Sequence, residues 1–219
     1  MSRLVVLVML VGAGAVRAEG QPWSSVGART VPLQGNVLQV EAGWPGLSVG
    51  WLHGAAPALS LGARLGFIYG VQGLVREVVP GLQAQALLKL QLFDTGRVSM
   101  ALTFEPGTFF VGPGGGVARF GLLLPVGLRL GIATSSAFTV ALLVEAPFWL
   151  QFGVGFNVPL LSGVGVEYFV SSQLALFFRG TLGPTLRPGG ASELTFTGSL
   201  GVAFEFPSTP APTPPDPRS

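Results

Sequence analysis

The chain has 219 residues, enough for one domain, and only 10% of them are charged against 49% hydrophobic. A soluble domain carries roughly 25% charged residues; so sparse a charged coat, with a mean hydropathy of +0.61, excludes an ordinary water-facing surface. The formal charge of +2 rests on Arg3 and Arg17, which belong to a segment expected to be removed; ten basic and ten acidic residues then remain, so no basic field is left to attract nucleic acid. There is no cysteine, which excludes disulfides and thiolate metal sites.

In chain order, Met1-Ser2-Arg3 gives a basic start, Leu4 to Val11 an apolar run, and Val16-Arg17-Ala18 a small-residue cleavage pattern. That layout reads as a secretory signal over residues 1–18. The run is too short for a spanning helix, which needs about 20 apolar residues. Residues 19–35 read as a lead-in without regular pattern.

Only helices and closed barrels satisfy their backbone groups inside lipid. The best helical stretch, Ala146 to Val166, is broken by Pro147, Pro159 and four glycines. Alternation favours strands instead. Leu59, Leu61, Ala63, Leu65, Phe67 and Tyr69 share one face, while Ser60, Gly62, Arg64 and Gly66 lie on the other. Leu82, Ala84, Ala86, Leu88, Leu90 and Leu92 oppose Gln83, Gln85, Lys89 and Gln91. Near the C-terminus Leu194, Phe196, Leu200, Val202, Phe204 and Phe206 oppose Thr195, Thr197, Ser199 and Glu205.

Ten strands follow, near residues 36–44, 47–53, 58–70, 81–93, 97–105, 117–132, 137–148, 161–170, 173–183 and 193–206. Short turns are expected at 54–57, 94–96, 133–136 and 171–172, and long connections at 71–80, 106–116, 149–160 and 184–192. Membrane barrels keep short turns on one side and long loops on the other. Pro45-Gly46 would make a tight hairpin on the long side, and the brevity of 47–53 leaves eight strands as the alternative. Pro125 and Pro147 each remove a ladder hydrogen bond, so bulges or strand ends are expected there. Residues 207–219, with six prolines, read as a disordered tail.

Eleven mid-strand charges all fall opposite the apolar face: Glu41, Arg64, Lys89, Arg97, Glu105, Arg119, Arg129, Glu145, Glu167, Arg179 and Glu205. Random parity would do this about once in a thousand under the two-face rule, so the apolar face contacts lipid and the charges line a lumen. Glu105 with Arg119, and Glu167 with Arg179, are the expected pairs, with inward glycines making room. Trp44, Phe67, Tyr69, Phe104, Phe120 and Phe148 form one aromatic girdle; Trp51, Phe138, Tyr168, Phe204 and Phe206 form the other.

An export signal, alternating strands and a last strand ending Val202-Ala203-Phe204-Glu205-Phe206 resemble the small bacterial outer-membrane β-barrel superfamily. The resemblance is architectural and spans residues 36–206. It implies an all-β, closed, antiparallel up-and-down transmembrane barrel in a Gram-negative outer membrane, partnered by outer-membrane lipid, with a monomer favoured. It also implies that Phe206 serves as the terminal aromatic signal for the barrel-insertion machinery.

Chemistry is sparse. Some small barrels are lipid-modifying hydrolases with a Ser-His-acid group, but the single histidine, His53, has no acid on its own segment and reads as structural. One histidine makes a zinc site improbable. Gly112-Pro113-Gly114-Gly115-Gly116 lacks the Gly-Lys-Ser/Thr ending of a phosphate loop and reads as a flexible connection. No cofactor and no catalytic residue is expected. The leading expectation is a non-enzymatic envelope barrel with a charge-plugged lumen, and the alternative a narrow channel for a small or hydrophobic solute.

Overall fold

A computed structural model describes residues 23–69, 80–114, 117–187 and 193–206. The segments read as a signal (1–18) and as a tail (207–219) lie outside the described residues, as does most of the 71–80 connection. Twelve strand segments are present: β1 (Asn36–Trp44), β2 (Gly46–Ala56), β3 (Leu59–Ile68), β4 (Gly81–Asp94), β5 (Val98–Phe104), β6 (Gly107–Gly114), β7 (Val117–Ala133), β8 (Phe138–Gln151), β9 (Gly155–Pro159), β10 (Leu161–Phe169), β11 (Leu174–Leu186) and β12 (Glu193–Phe206). β5 and β6 both lie between β4 and β7, and β9 and β10 both lie between β8 and β11. Each of these pairs is one stave interrupted in the middle, so the barrel has ten staves. β1 pairs antiparallel with β12 from Asn36↔Phe206 to Trp44↔Gly198, which closes the wall.

The polarity of the wall is inverted relative to a soluble barrel. Leu65 is 67% exposed, and Leu82, Leu194 and Leu200 are exposed to a similar degree, while Arg64, Lys89, Arg129 and Glu167 are buried. An apolar belt of this extent is stable only against hydrocarbon, and a closed barrel leaves no unpaired edge there.

Two connections expected to be long, 106–116 and 149–160, are mostly strand, and a third, 184–192, begins as strand. β6 fills much of 106–116, β8 and β9 meet at a three-residue turn, and β11 runs to Leu186. The turn at Phe152-Gly153-Val154 needs glycine, because Gly153 and Gly155 have φ of 78° and 131°. Alternation failed to mark these strands because both faces are apolar: Phe109 and Val111 are buried inside, while Phe110 is exposed outside. β2 is likewise longer than expected, at eleven residues, and a single residue, Pro45, joins it to β1.

Pro125 and Pro147 sit within continuous strands, not at bulges or ends. They face each other in the β7–β8 register, Pro125↔Pro147. The side of Pro125 that lacks a donor faces the Glu105-Pro106 break between β5 and β6, where Glu105 N donates to the Pro125 carbonyl at 2.9 Å. Pro147 faces the corresponding break at Leu160, since Glu145 pairs with Leu161 and Trp149 with Asn157. Each missing N–H therefore falls opposite an interruption, where no ladder bond is lost.

Candidate functional site

Among the described residues, the lumen holds most of the buried polar chemistry. At mid-height six charged side chains form one alternating ladder. Arg179 Nη2 lies 2.8 Å from Glu41 Oε1, and Arg64 Nε lies 3.9 Å from the same oxygen. Arg64 Nη1 reaches Glu105 Oε2 at 2.6 Å, and Arg129 Nη2 reaches Glu105 Oε1 at 3.2 Å and Glu145 Oε1 at 3.9 Å. Ser48 and Ser199 donate to Glu41 at 2.8 and 3.3 Å, and Gln85 donates to the Glu105 carbonyl at 3.1 Å. Three cations and three anions make the ladder neutral, which a low-dielectric interior requires of buried ions.

The expected pairings within this set are corrected. Glu105 pairs with Arg64 and Arg129, not with Arg119, because the stave continues through β6 and places Arg119 opposite Val111. Glu167 and Arg179 are diagonal in the β10–β11 register, yet each bonds elsewhere: Arg179 to Glu41, Glu167 to the N-terminal segment. Glu205 is half-buried near the end of β12. Arg97 is exposed in the turn between β4 and β5, and Arg119 is half-buried on β7.

Of the segment read as a plain lead-in, residues 23–31 enter the barrel, while Leu33 and Gln34 are exposed. Trp23, Val26, Ala28 and Val31 are 0–2% exposed, and Ser24, Ser25, Arg29 and Thr30 are buried with them. The segment fills the end of the lumen that carries the short turns. Trp23 packs edge-on against Phe169 with centroids 5.0 Å apart. Several backbone groups and hydroxyls of the segment bond to the wall. Ser24 Oγ and Ser25 N donate to the Glu167 carboxylate at 2.5 and 2.7 Å. Lys89 Nζ donates to the Ser24 carbonyl at 2.6 Å, and Arg129 Nη1 to the Ser25 carbonyl at 3.0 Å. Gln39 donates to Ser25 Oγ at 3.1 Å. Thr30 N donates to Gln91 Oε1 at 3.0 Å, and Val31 N to Ser60 Oγ at 2.9 Å. Arg29 Nε lies 3.1 Å from Asp94 Oδ2, tying the segment to the β4–β5 turn.

Inward glycines make room for this stopper and for aromatic rings more than for long charged chains. A Cβ at Gly165 would stand 3.1 Å from Val26 Cβ, and one at Gly131 would stand 3.1 Å from Ala28 N. Gly121 lies under Phe109, and Gly201 under Phe177. Nothing periodic in Trp23 to Val31 announces a stopper, since a segment that fits an irregular interior has no repeating face. The available signal was the surplus of uncharged inward donors and acceptors (Gln39, Ser60, Gln91) that the charged residues alone do not satisfy.

Beyond the ladder, toward the other end, lies a partly open vestibule of about 110 Å³. Glu41, Arg64, Glu105 and Arg179 form its floor, and Ile68, Leu123 and Trp149 part of its wall. Those three belong to a buried apolar cluster with Phe109 and Val111. A second cavity, of about 10 Å³, lies beside Ser24, Ala28 and Arg29 and shares no lining residue with the vestibule.

His53 is half-buried, with Nδ1 3.1 Å from Asn36 Oδ1 and its ring stacked on Trp51 at 5.9 Å. These neighbours supply neither a nucleophile nor an acid. Gly112 to Gly114 belong to β6, and Gly115 and Gly116 lie outside the described residues. Phe206 ends β12, is 45% exposed, and packs against Phe204 with centroids 5.0 Å apart.

No protein-family model and no curated protein matches the sequence. Among solved structures the fold is similar to the outer membrane protease OmpT from Escherichia coli, with a TM-score of 0.50 and 9% identity, over 78% of this chain and 96% of that one. KdgM porin aligns with a TM-score of 0.40 and 10% identity, over 78% of this chain and 99% of that one. OmpT of Vibrio cholerae aligns with a TM-score of 0.40 and 8% identity, over 74% of this chain and 56% of that one. At such identities the likeness concerns the fold alone, and that fold is the outer-membrane type of β-barrel.

Proposed function

We propose that this chain is a non-enzymatic integral protein of a Gram-negative outer membrane whose barrel is sealed by its own N-terminal segment. In this reading it is exported through residues 1–18, inserted with the help of the terminal aromatic Phe206, and held in lipid as a monomer. The end of the barrel that holds residues 23–31 and the short turns faces the periplasm, and the vestibule opens outward. The observation that carries the reading is the burial of residues 23–31 inside the wall, combined with the six-ion ladder stacked directly on them. A lumen so filled supports an envelope or surface-presenting role over solute flow.

Planar-bilayer recording of the purified full-length protein tests this. A silent membrane is expected; discrete, reproducible openings would replace the reading with that of a narrow channel for small solutes. Incubation with lipid A tests the non-enzymatic part. No deacylation is expected, whereas deacylation that disappears in His53→Ala would make the protein a lipid hydrolase.

A further inference from the structure

The ion ladder has two ends, and both open into the vestibule. At one end Arg179 has, among the described residues, a single carboxylate within 4 Å, Glu41. Its Nε donates to Ser199 Oγ at 3.2 Å, its side chain keeps 22% exposure, and its Nη1 has no acceptor among the described residues. At the other, Glu145 lies 3.9 Å from Arg129, keeps 21% exposure, and accepts no hydrogen bond from the other described residues. The interior members Arg64 and Glu105 each have two partners of opposite sign. The vestibule thus presents one underused guanidinium and one underused carboxylate beside the apolar wall of Ile68, Leu123 and Trp149.

We propose that the vestibule is a binding site for a small zwitterion of the amino-acid class, its carboxylate held by Arg179 and its ammonium by Glu145. Charge balance selects this ligand over a simple ion. The ladder is already neutral, so a net charge entering it would be left uncompensated in a poorly solvated site, while a zwitterion adds none. Guanidinium–carboxylate and ammonium–carboxylate contacts are charge-assisted and strong when shielded from water. Volume sets the size: about 110 Å³ is less than the roughly 150 Å³ that accepts a benzene ring, so a ligand near the size of alanine fits within it. The apolar wall suits a methyl side chain. The site depends on the sealed-barrel reading only for which side of the membrane the ligand comes from.

Isothermal titration of the full-length protein in detergent tests the proposal, with L-alanine, alanine methyl ester and N-acetyl-alanine as probes. Saturable binding of alanine is expected, with the ester and the acetylated form each at least tenfold weaker, because each loses one charged handle. Glu145→Gln should weaken alanine at least tenfold while leaving the ladder's inner pairs in place, and Arg179→Lys gives an independent check should that variant fold poorly. No saturable heat with alanine, equal binding of the three probes, or unchanged binding in a folded Glu145→Gln protein would overturn it. A barrel that conducts ions yet binds alanine in this pattern would refute sealing without touching the site.

Discussion

Replacing Glu105 with alanine removes the centre of the ladder. Its carboxylate lies 2.6 Å from Arg64 and 3.2 Å from Arg129, and both guanidiniums are at most 9% exposed. At an effective dielectric near 20 each contact supplies about 4 kcal/mol or more of gross attraction. Part of that only offsets the desolvation of the carboxylate itself. Removing one partner of a buried pair costs about 3–5 kcal/mol because the other charge stays behind. Here Glu41 and Glu145 remain at 3.9 Å from the two arginines and soften the loss. Glu105→Ala should therefore destabilise the barrel by about 3 kcal/mol, at the lower end of that range. Urea unfolding in lipid vesicles, followed by tryptophan fluorescence, measures it. A cycle with Arg64→Ala should show coupling of at least about 1 kcal/mol. A loss below about 0.5 kcal/mol with no coupling would mean that water screens the ladder and that the lumen is not packed.

Two further substitutions probe the wall. Leu65→Arg places a charge on a side chain that is 67% exposed on the apolar belt, and should cost about 2–4 kcal/mol in vesicles if the belt faces the hydrocarbon midplane; a neutral effect would remove the lipid assignment from that face. Gly163→Ala drives a Cβ into the backbone of Gly180 and to 2.7 Å from Thr181 Cα, and should destabilise by about 1–3 kcal/mol. Gly198→Ala meets open space and should stay within about 0.5 kcal/mol, so equal unfolding midpoints for the two glycine variants would contradict the strand packing.

Alternation made the barrel readable wherever lipid and lumen impose opposite demands. Leu82 to Leu92 against Gln83 to Gln91 is such a stretch, and β4 spans it. Where the lumen itself is apolar, the contrast vanishes. Phe109, Val111 and Trp149 turn inward while Phe110 turns outward, so the upper parts of the staves carry no period-two pattern and their glycines and prolines look like loop. The prolines misled for a related reason. Sequence shows the missing N–H of Pro125 and Pro147 but not the broken staves beside them. Parity assigned the ladder residues to one face, but their partners depend on register around the barrel. Arg64 meets Glu105 across 41 positions, and Arg179 meets Glu41 across 138. The stopper was least legible, since Ser24 and Ser25 owe their places to Glu167, Lys89 and Arg129, all distant in sequence.

The placement of the N-terminal segment inside the wall can be tested by a single cross-link. A Cβ at position 165 would stand 3.1 Å from Val26 Cβ, close enough for a disulfide after a shift of a few tenths of an ångström, and the chain has no cysteine to compete. Mild oxidation of the Val26→Cys/Gly165→Cys variant, folded in vesicles, should give a near-complete intramolecular link, while Val26→Cys/Leu65→Cys, with its second thiol on the belt, should give none. Two free thiols that react with a water-soluble maleimide and never join would put residues 23–31 outside the lumen and leave the barrel unsealed.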